Sequence, residues 1–231
     1  MMENYKELEE KIGITFKNKE ILERSFIHKS YINEHKGKGV KDNERLEFLG
    51  DAVLELVATR HLYFNYPGQQ EGTMTAFRSA LVKGKHLAEV ARELDVGNYL
   101  FLSKGEDNSG GRSKNYILAN TLEALIGAIY VDQGYKHAEG FIERFILTKL
   151  DKIIEKGLHI DSKSLFQELS QEKEDITPEY KIESESGPDH NKKFIMGAYI
   201  GSKLIAKGTG SSKQKAEDNA AKKALIKKGW I

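Results

Sequence analysis

Four acids recur at helical spacing in the stretch NERLEFLGDAVLELV, residues 43–57: Glu44, Glu47, Asp51 and Glu55. At 100° per residue they fall within roughly 80° of one another on one helix face, while Leu46, Leu49, Val53, Leu56 and Val57 cover the opposite side. Like charges at i,i+4 oppose the helix by about 0.2–0.5 kcal/mol per pair, and no lysine or arginine is interleaved on that face. Two readings are open on spacing alone: a solvated acidic face, or a set of carboxylate oxygens for a hard divalent cation such as Mg²⁺ or Mn²⁺. Phe48 projects near the acidic side, so a loop, another helix or a second subunit is expected to cover it. Gly50 costs about 1 kcal/mol against alanine in a helix interior, which points to the close approach of another backbone, a merely tolerated glycine being the other reading.

A second polar pair lies in NYILANTLEALIGAIYVD, residues 115–132, an otherwise apolar helical stretch. Asn120 and Glu123 are three residues apart and so share a face. Burying an unpaired carboxylate there is strongly unfavourable unless it ligates a cation, pairs with a lysine or arginine, or changes protonation state. An asparagine beside it can offer a neutral carbonyl oxygen or hydrogen-bond a water, with one negative charge fewer than an aspartate.

The elements that must position these residues follow from periodicity. Apolar residues at three- and four-residue steps predict helices near 3–11, 18–27, 42–62, 73–80, 83–94, 113–131 and 135–153. HKGKGVKD, YPGQQEG and SKGEDNSGG punctuate them and read as loops. From about residue 160 the pattern changes to a short helix near 163–172, strands near 179–186, 192–201 and 202–208, and an alanine-rich helix over 212–228. With 39% hydrophobic residues the 231-residue chain can build real cores, and without cysteine it has neither disulfides nor a Cys-ligated zinc. No apolar run of secretory or membrane-spanning type is present, so the expected compartment is the cytoplasm. A net charge of +1 hides an uneven distribution: residues 187–231 hold 10 lysines against 3 acids.

That basic tail ends in GTGSSKQKAEDNAAKKALIKKG, which starts a helix at or near Ser212 with Lys213 and Lys215 in its first turn, where the helix dipole disfavours cations. The placement calls for an anion, and phosphate suits free backbone N–H groups and lysines converging at a helix start; an ordinary basic surface helix is the other reading. Ala216, Ala220, Ala221 and Ala224 form a small-residue face able to lie close on a sheet.

NERLEFLGDAVL resembles the signature helix of the ribonuclease III endonucleases. SFIHKSY, EGTMTAFRSALV and ILANTLEALIGAIYVDQG agree with that family in order, and the C-terminal part resembles a double-stranded RNA-binding domain, so the resemblance covers nearly the whole chain. It implies an N-terminal all-α endonuclease domain over 1–155, a linker at 156–160, and a C-terminal α+β domain of α-β-β-β-α order over 161–231. It further implies Glu47, Asp51 and Glu123 as metal ligands, with Glu44 and Glu71 as accessory acids in a catalytic valley. At position 120 the family most often carries an aspartate that joins the same metal shell, so Asn120 departs from the pattern.

The implied reaction is hydrolysis of double-stranded RNA by a metal-activated water, with Mg²⁺ as cofactor and Mn²⁺ able to substitute. Implied products carry 5′-phosphate and 3′-hydroxyl ends with a short 3′ overhang, and implied substrates are ribosomal RNA precursors and other structured transcripts. Two strands require two sites, hence a homodimer with Phe48 at or near the interface. No membrane and no small-molecule cofactor is expected. SLFQELSQEKE resembles the first helix of the RNA-binding domain, which directs Ser164, Gln167, Glu168 and Gln171 to one minor groove. GPDHNKK resembles its first β-loop and directs His190 to a second, while Ser212, Lys213 and Lys215 meet the phosphates between. Gln214 replaces a basic residue common in the family. His28 and His35 are expected to be a structural and an exposed loop histidine. The alternative is a double-stranded RNA-binding protein whose cleavage is impaired because Asn120 replaces a metal-ligating aspartate.

Overall fold

The computed structural model describes residues 5–35, 39–188 and 192–231, and the chain divides into two compact units, Met1–His159 and Ile160–Ile231. The first unit is helical: α1 (Tyr5–Ile12), α2 (Lys19–Ser25), α3 (Lys29–Glu34), α4 (Glu44–Asn65), α5 (Glu71–Leu81), α6 (Gly84–Glu93), α7 (Lys104–Asn108), α8 (Asn115–Gln133), α9 (Tyr135–Phe145) and α10 (Leu150–Glu155). Its organising element is α8, which buries Ile117–Ala119, Thr121, Leu122 and every residue from Ala124 to Ile129. Leu118, Leu122 and Leu125 are fully enclosed, each stabilising the unit by roughly 2 kcal/mol. A helix apolar on nearly all sides must sit in the middle of its neighbours.

Helices α4 and α8 cross backbone to backbone. A Cβ placed on Gly50 would stand 1.8 Å from the Glu123 carbonyl oxygen, and one on Gly127 would stand 2.1 Å from that of Leu46. The glycine that weakens α4 as an isolated helix is therefore what allows α8 to lie against it. Because Glu47 and Asp51 flank Gly50, and Glu123 is the residue it meets, the crossing itself brings the two polar sets together.

The second unit runs α11 (Ser162–Glu174), β1 (Glu179–Ser186), β2 (Lys193–Ile200), β3 (Lys203–Gly210) and α12 (Lys213–Lys228). The strands form one antiparallel sheet in the order β1-β2-β3, with irregularities between Ile182 and Ser184 and between Ala198 and Tyr199. Ala216, Ala220, Ala221 and Ala224 are completely buried, and a Cβ on Gly208 would stand 2.1 Å from the Ala220 nitrogen, so α12 lies directly on β3. Phe166 and Leu225 complete this core with Ala198, Ile200 and Ile205.

Several local features differ from the periodicity reading. SKGEDNSGG contains α7, started by the Ser103 hydroxyl accepting from the Glu106 amide, with Glu106 and Asp107 in its first turn. SFIHKSY opens α3, which the His28 ring caps by accepting from the Ser30 amide. The expected single helix over 135–153 is broken by a 3₁₀ turn at 147–149, across which Ile146, Leu147, Leu150 and Ile153 are all buried. Leu56, assigned to the apolar side of α4, is 56% exposed. His35 ends α3 half-buried and stacked on Tyr31 at 3.9 Å between ring centroids, rather than standing free in a loop. Among the described residues no helix is long and apolar enough to cross a membrane.

Candidate active site and nucleic-acid interface

The acidic stripe of α4 is neutralised at its two ends and not in its middle. Lys29 of α3 reaches Glu44 at 3.1 Å, and Arg78 of α5 reaches Glu55 at 3.0 Å. Between them, Glu47 accepts a hydrogen bond from the Asn120 side-chain amide at 2.8 Å, which satisfies one oxygen without supplying a charge. No hydrogen bond or ion pair from the described residues reaches the Asp51 or Glu123 carboxylate. These cations come from elements distant in sequence, which is why the stripe read from one helix could not reveal them; SFIHKSY and EGTMTAFRSALV carry them.

The electrostatic consequence is concentrated on Glu123. Burial, then the nearby charges of Asp51 and Glu47, push its carboxyl up to about 7. Glu47 is raised as well, chiefly by burial; the Asn120 hydrogen bond and Lys29 oppose the rise, while Glu44 and Asp51 add to it. Three carboxylates without a cationic partner, two of them partly buried at a helix crossing, are mutually destabilising, and a hard cation is what relieves them. The donor set therefore suits a divalent ion in chemistry. Among the described residues, however, no group of three or more His, Cys, Asp and Glu side chains already stands at ligating spacing.

The remaining acid, Glu71, is not gathered into this cluster within one chain. It opens α5, accepts from the Thr75 hydroxyl at 2.9 Å, and lines a groove of about 190 Å³ with Thr59, Leu62, Tyr63, Met74, Thr75 and Arg78. That groove lies two turns or more beyond Asp51 along α4. Phe48 is 80% exposed, so nothing within the described chain covers it.

In the second unit, the Ser212 hydroxyl caps α12 by accepting from the Lys215 amide, and Lys213 and Lys215 project from its exposed first turn. On α11, Ser164, Gln167, Glu168 and Gln171 are all exposed; Ser164 donates to Asp161 and Gln171 to Thr177. Gln214 is exposed between the two lysines. His190 lies outside the described residues.

Comparison with known proteins agrees with this division. Residues 18–150 match the family described as Ribonuclease-III-like, and residues 162–228 match the Double-stranded RNA binding motif. The protein named Ribonuclease 3 from Chloroflexus aurantiacus is 44% identical over 227 residues, covering 97% of this chain and 92% of that protein. Its namesake from Listeria monocytogenes is 42% identical over 229 residues, covering 98% of each. The solved nuclease domain of ribonuclease III from Campylobacter jejuni superimposes with a TM-score of 0.59 at 38% identity, over 64% of this chain and 97% of that one.

An all-helical unit with paired acidic helices, joined to a unit that binds duplex RNA, defines a nuclease directed at double-stranded RNA. The chain belongs to the ribonuclease III family of endoribonucleases.

Proposed function

We propose that the chain hydrolyses both strands of double-stranded RNA in a divalent-metal-dependent reaction. It works with Mg²⁺, or Mn²⁺ in its place, and leaves 5′-phosphate and 3′-hydroxyl ends with short 3′ overhangs. The observation that carries this reading is Glu123: a partly buried carboxylate with no cationic partner, beside Asp51 and Glu47 of a stripe whose two ends are neutralised by Lys29 and Arg78. Glu47, Asp51, Asn120 and Glu123 would hold the ion, Asn120 through its carbonyl oxygen. When bound, the ion supplies activation of a water and neutralisation of charge on the phosphodiester. Asp51 and Glu123, supported by Glu44 and Glu71, orient the attacking water and the phosphate. Processing of ribosomal RNA precursors and other structured transcripts, in the cytoplasm, is the role that fits such a reaction.

A homodimer would complete the site. Phe48 projects from the same turns of α4 as Glu44, Glu47 and Asp51, and the groove beside Glu71 has a partly apolar lining that includes Leu62, Tyr63 and Met74. A twofold interface that seats Phe48 of each chain in the other's groove would carry Glu71 to the partner's acidic stripe. A solved structure of the Campylobacter jejuni nuclease domain, 39% identical with a TM-score of 0.58, is described as showing structural flexibility in a region involved in dimer formation. Two sites related by that axis would cut the two strands.

In the second unit, Ser164, Gln167, Glu168 and Gln171 would meet 2′-hydroxyls in one minor groove and His190 those of a second. Ser212, Lys213 and Lys215 would take the intervening phosphates. Replacing Lys213 and Lys215 together by alanine is expected to weaken binding to any duplex. The slope of log affinity against log salt should become shallower by about 1 to 2, readable by titration at several salt concentrations. An unchanged slope would count against phosphate contacts there.

Asn120 favours a second reading, in which the chain binds duplex RNA with impaired or absent cleavage. Its amide holds Glu47 by a neutral hydrogen bond at the position where an aspartate would add a negative charge to the cluster. Asn120→Asp removes the donor and adds a charge. We expect half-saturation at roughly tenfold lower Mg²⁺ and a faster cut. Equal Mg²⁺ dependence and equal rate in the two forms would show that position 120 does not limit the site.

A further inference from the structure

From Ile117 to Ile129, the only side chains of α8 that are not buried are Asn120 and Glu123. Tyr116 stands one turn before Asn120 in the same row: positions i, i+4 and i+7 fall within about 60° on a helix. It is 55% exposed, so it extends the accessible line of α8 outward from the proposed metal site. Its hydroxyl donates to Glu106 at 3.4 Å, to an oxygen that the Lys114 ammonium already holds at 2.6 Å. A bond that long, to an acceptor already engaged, is readily exchanged for a better one. Because Lys114 neutralises Glu106, no unpaired carboxylate at this position repels an anion, and the first turn of α8 carries the favourable end of the helix dipole.

We propose that Tyr116 is a substrate-contacting residue that lies against the RNA backbone beside the cut and hydrogen-bonds a phosphate of the strand being cleaved. The proposal rests on the cleavage reading above and adds to it a contact about 10 Å along α8 from Glu123. Tyrosine suits the task, since its ring offers a rigid apolar face and its hydroxyl a donor that carries no charge of its own. A substrate strand led to Glu123 along the row Tyr116, Asn120 and Glu123 of α8 passes Tyr116 on the way.

The test uses the full chain, Tyr116→Phe and Tyr116→Ala, a long RNA duplex and Mg²⁺, with duplex affinity also measured under EDTA at several salt concentrations. Loss of the hydroxyl alone is expected to raise KM about 3- to 10-fold with kcat nearly unchanged. The alanine variant should raise it further. Affinity should fall in step, with the salt slope unaltered because no charge is removed. The unfolding midpoint should stay at the parent value, the side chain being exposed. Parental KM and affinity in both variants would overturn the proposal, as would a fall in kcat with KM unchanged. A parent chain that cuts with neither metal would refute the cleavage reading, and the EDTA affinities would still decide the contact.

Discussion

Glu123→Gln should lower metal-dependent cleavage of duplex RNA by about 10²- to 10³-fold or more while leaving duplex binding intact. Glutamine keeps the size and an acceptor oxygen but removes the charge that the proposed site needs on α8. The same substitution should not harm the fold. The Glu123 carboxyl is held up to about 7 by burial and by Asp51 and Glu47, so its ionised form is a cost to the metal-free chain. The sign follows from linkage. Between the ordinary carboxylate range and about 7, the folded state binds the proton that the unfolded state has released. The associated stability is present at low pH and is lost as pH rises through about 7. Glu123→Gln has no such loss, so with EDTA present it should unfold at a higher temperature than the parent at pH 8, and the advantage should shrink toward pH 5. Cleavage by the parent should fall as pH drops below about 7, where the proton competes with the cation for the same oxygens. A variant that cuts at the parental rate would remove Glu123 from the site.

Gly50→Ala is the second large effect. On an isolated helix the change would stabilise α4 by about 1 kcal/mol. Here the new Cβ would stand 1.8 Å from the Glu123 carbonyl oxygen and 2.8 Å from the Gly127 nitrogen, both backbone atoms that cannot rotate away. The helices must separate, and overpacking of this kind costs about 1–3 kcal/mol or more, enough to outweigh the propensity gain. The functional loss should exceed the stability loss, because the contact that is broken is the one that sets Glu47 and Asp51 against Asn120 and Glu123. We expect a lower unfolding midpoint together with strongly reduced cleavage at temperatures where the variant is still folded. Ser79→Ala, an exposed change on α5, serves as the control for substitution as such. A parental midpoint and rate in Gly50→Ala would show that the crossing is not as close as described.

The elements most legible in the sequence were those whose information is local. The periodicity of 42–62 and 113–131 announced α4 and α8, Gly50 pointed to a near backbone, and the alanines of 212–228 announced a helix able to lie close on a sheet. The α-β-β-β-α succession of the second unit could also be read from the chain, because its strand-like runs differ in pattern from the helices on either side. What escaped was either masked by glycine or set by tertiary contact. In SKGEDNSGG the three glycines hid the Ser103 cap and the two first-turn acids that start α7. Leu56 read as core because it lies on the apolar side of an ideal helix, yet no neighbouring element covers it.

The candidate site divides in the same way. The stripe Glu44, Glu47, Asp51 and Glu55 and the pair Asn120 and Glu123 stood out by type and spacing, but singling out Glu47, Asp51 and Glu123 as metal ligands rested on the family resemblance. That Glu44 and Glu55 are paired while Asp51 and Glu123 are not depends on Lys29 and Arg78, which arrive from other helices. That pairing turns a uniform acidic stripe into a centre with neutralised flanks. Glu71 shows the limit from the other side: an acid placed in the valley by resemblance lies, within one chain, in a separate groove, and reaches the stripe only through the proposed twofold partner.

The most direct test of the central claim is the digestion of a long RNA duplex by the purified chain across a titration of Mg²⁺, with the ends of both strands mapped. The account predicts no cutting in EDTA and cutting that rises with Mg²⁺. Products should carry 5′-phosphates and 3′-hydroxyls, with staggered breaks in both strands. A chain that binds the duplex but leaves it whole at every concentration of Mg²⁺ or Mn²⁺, or that nicks only one strand, would contradict it.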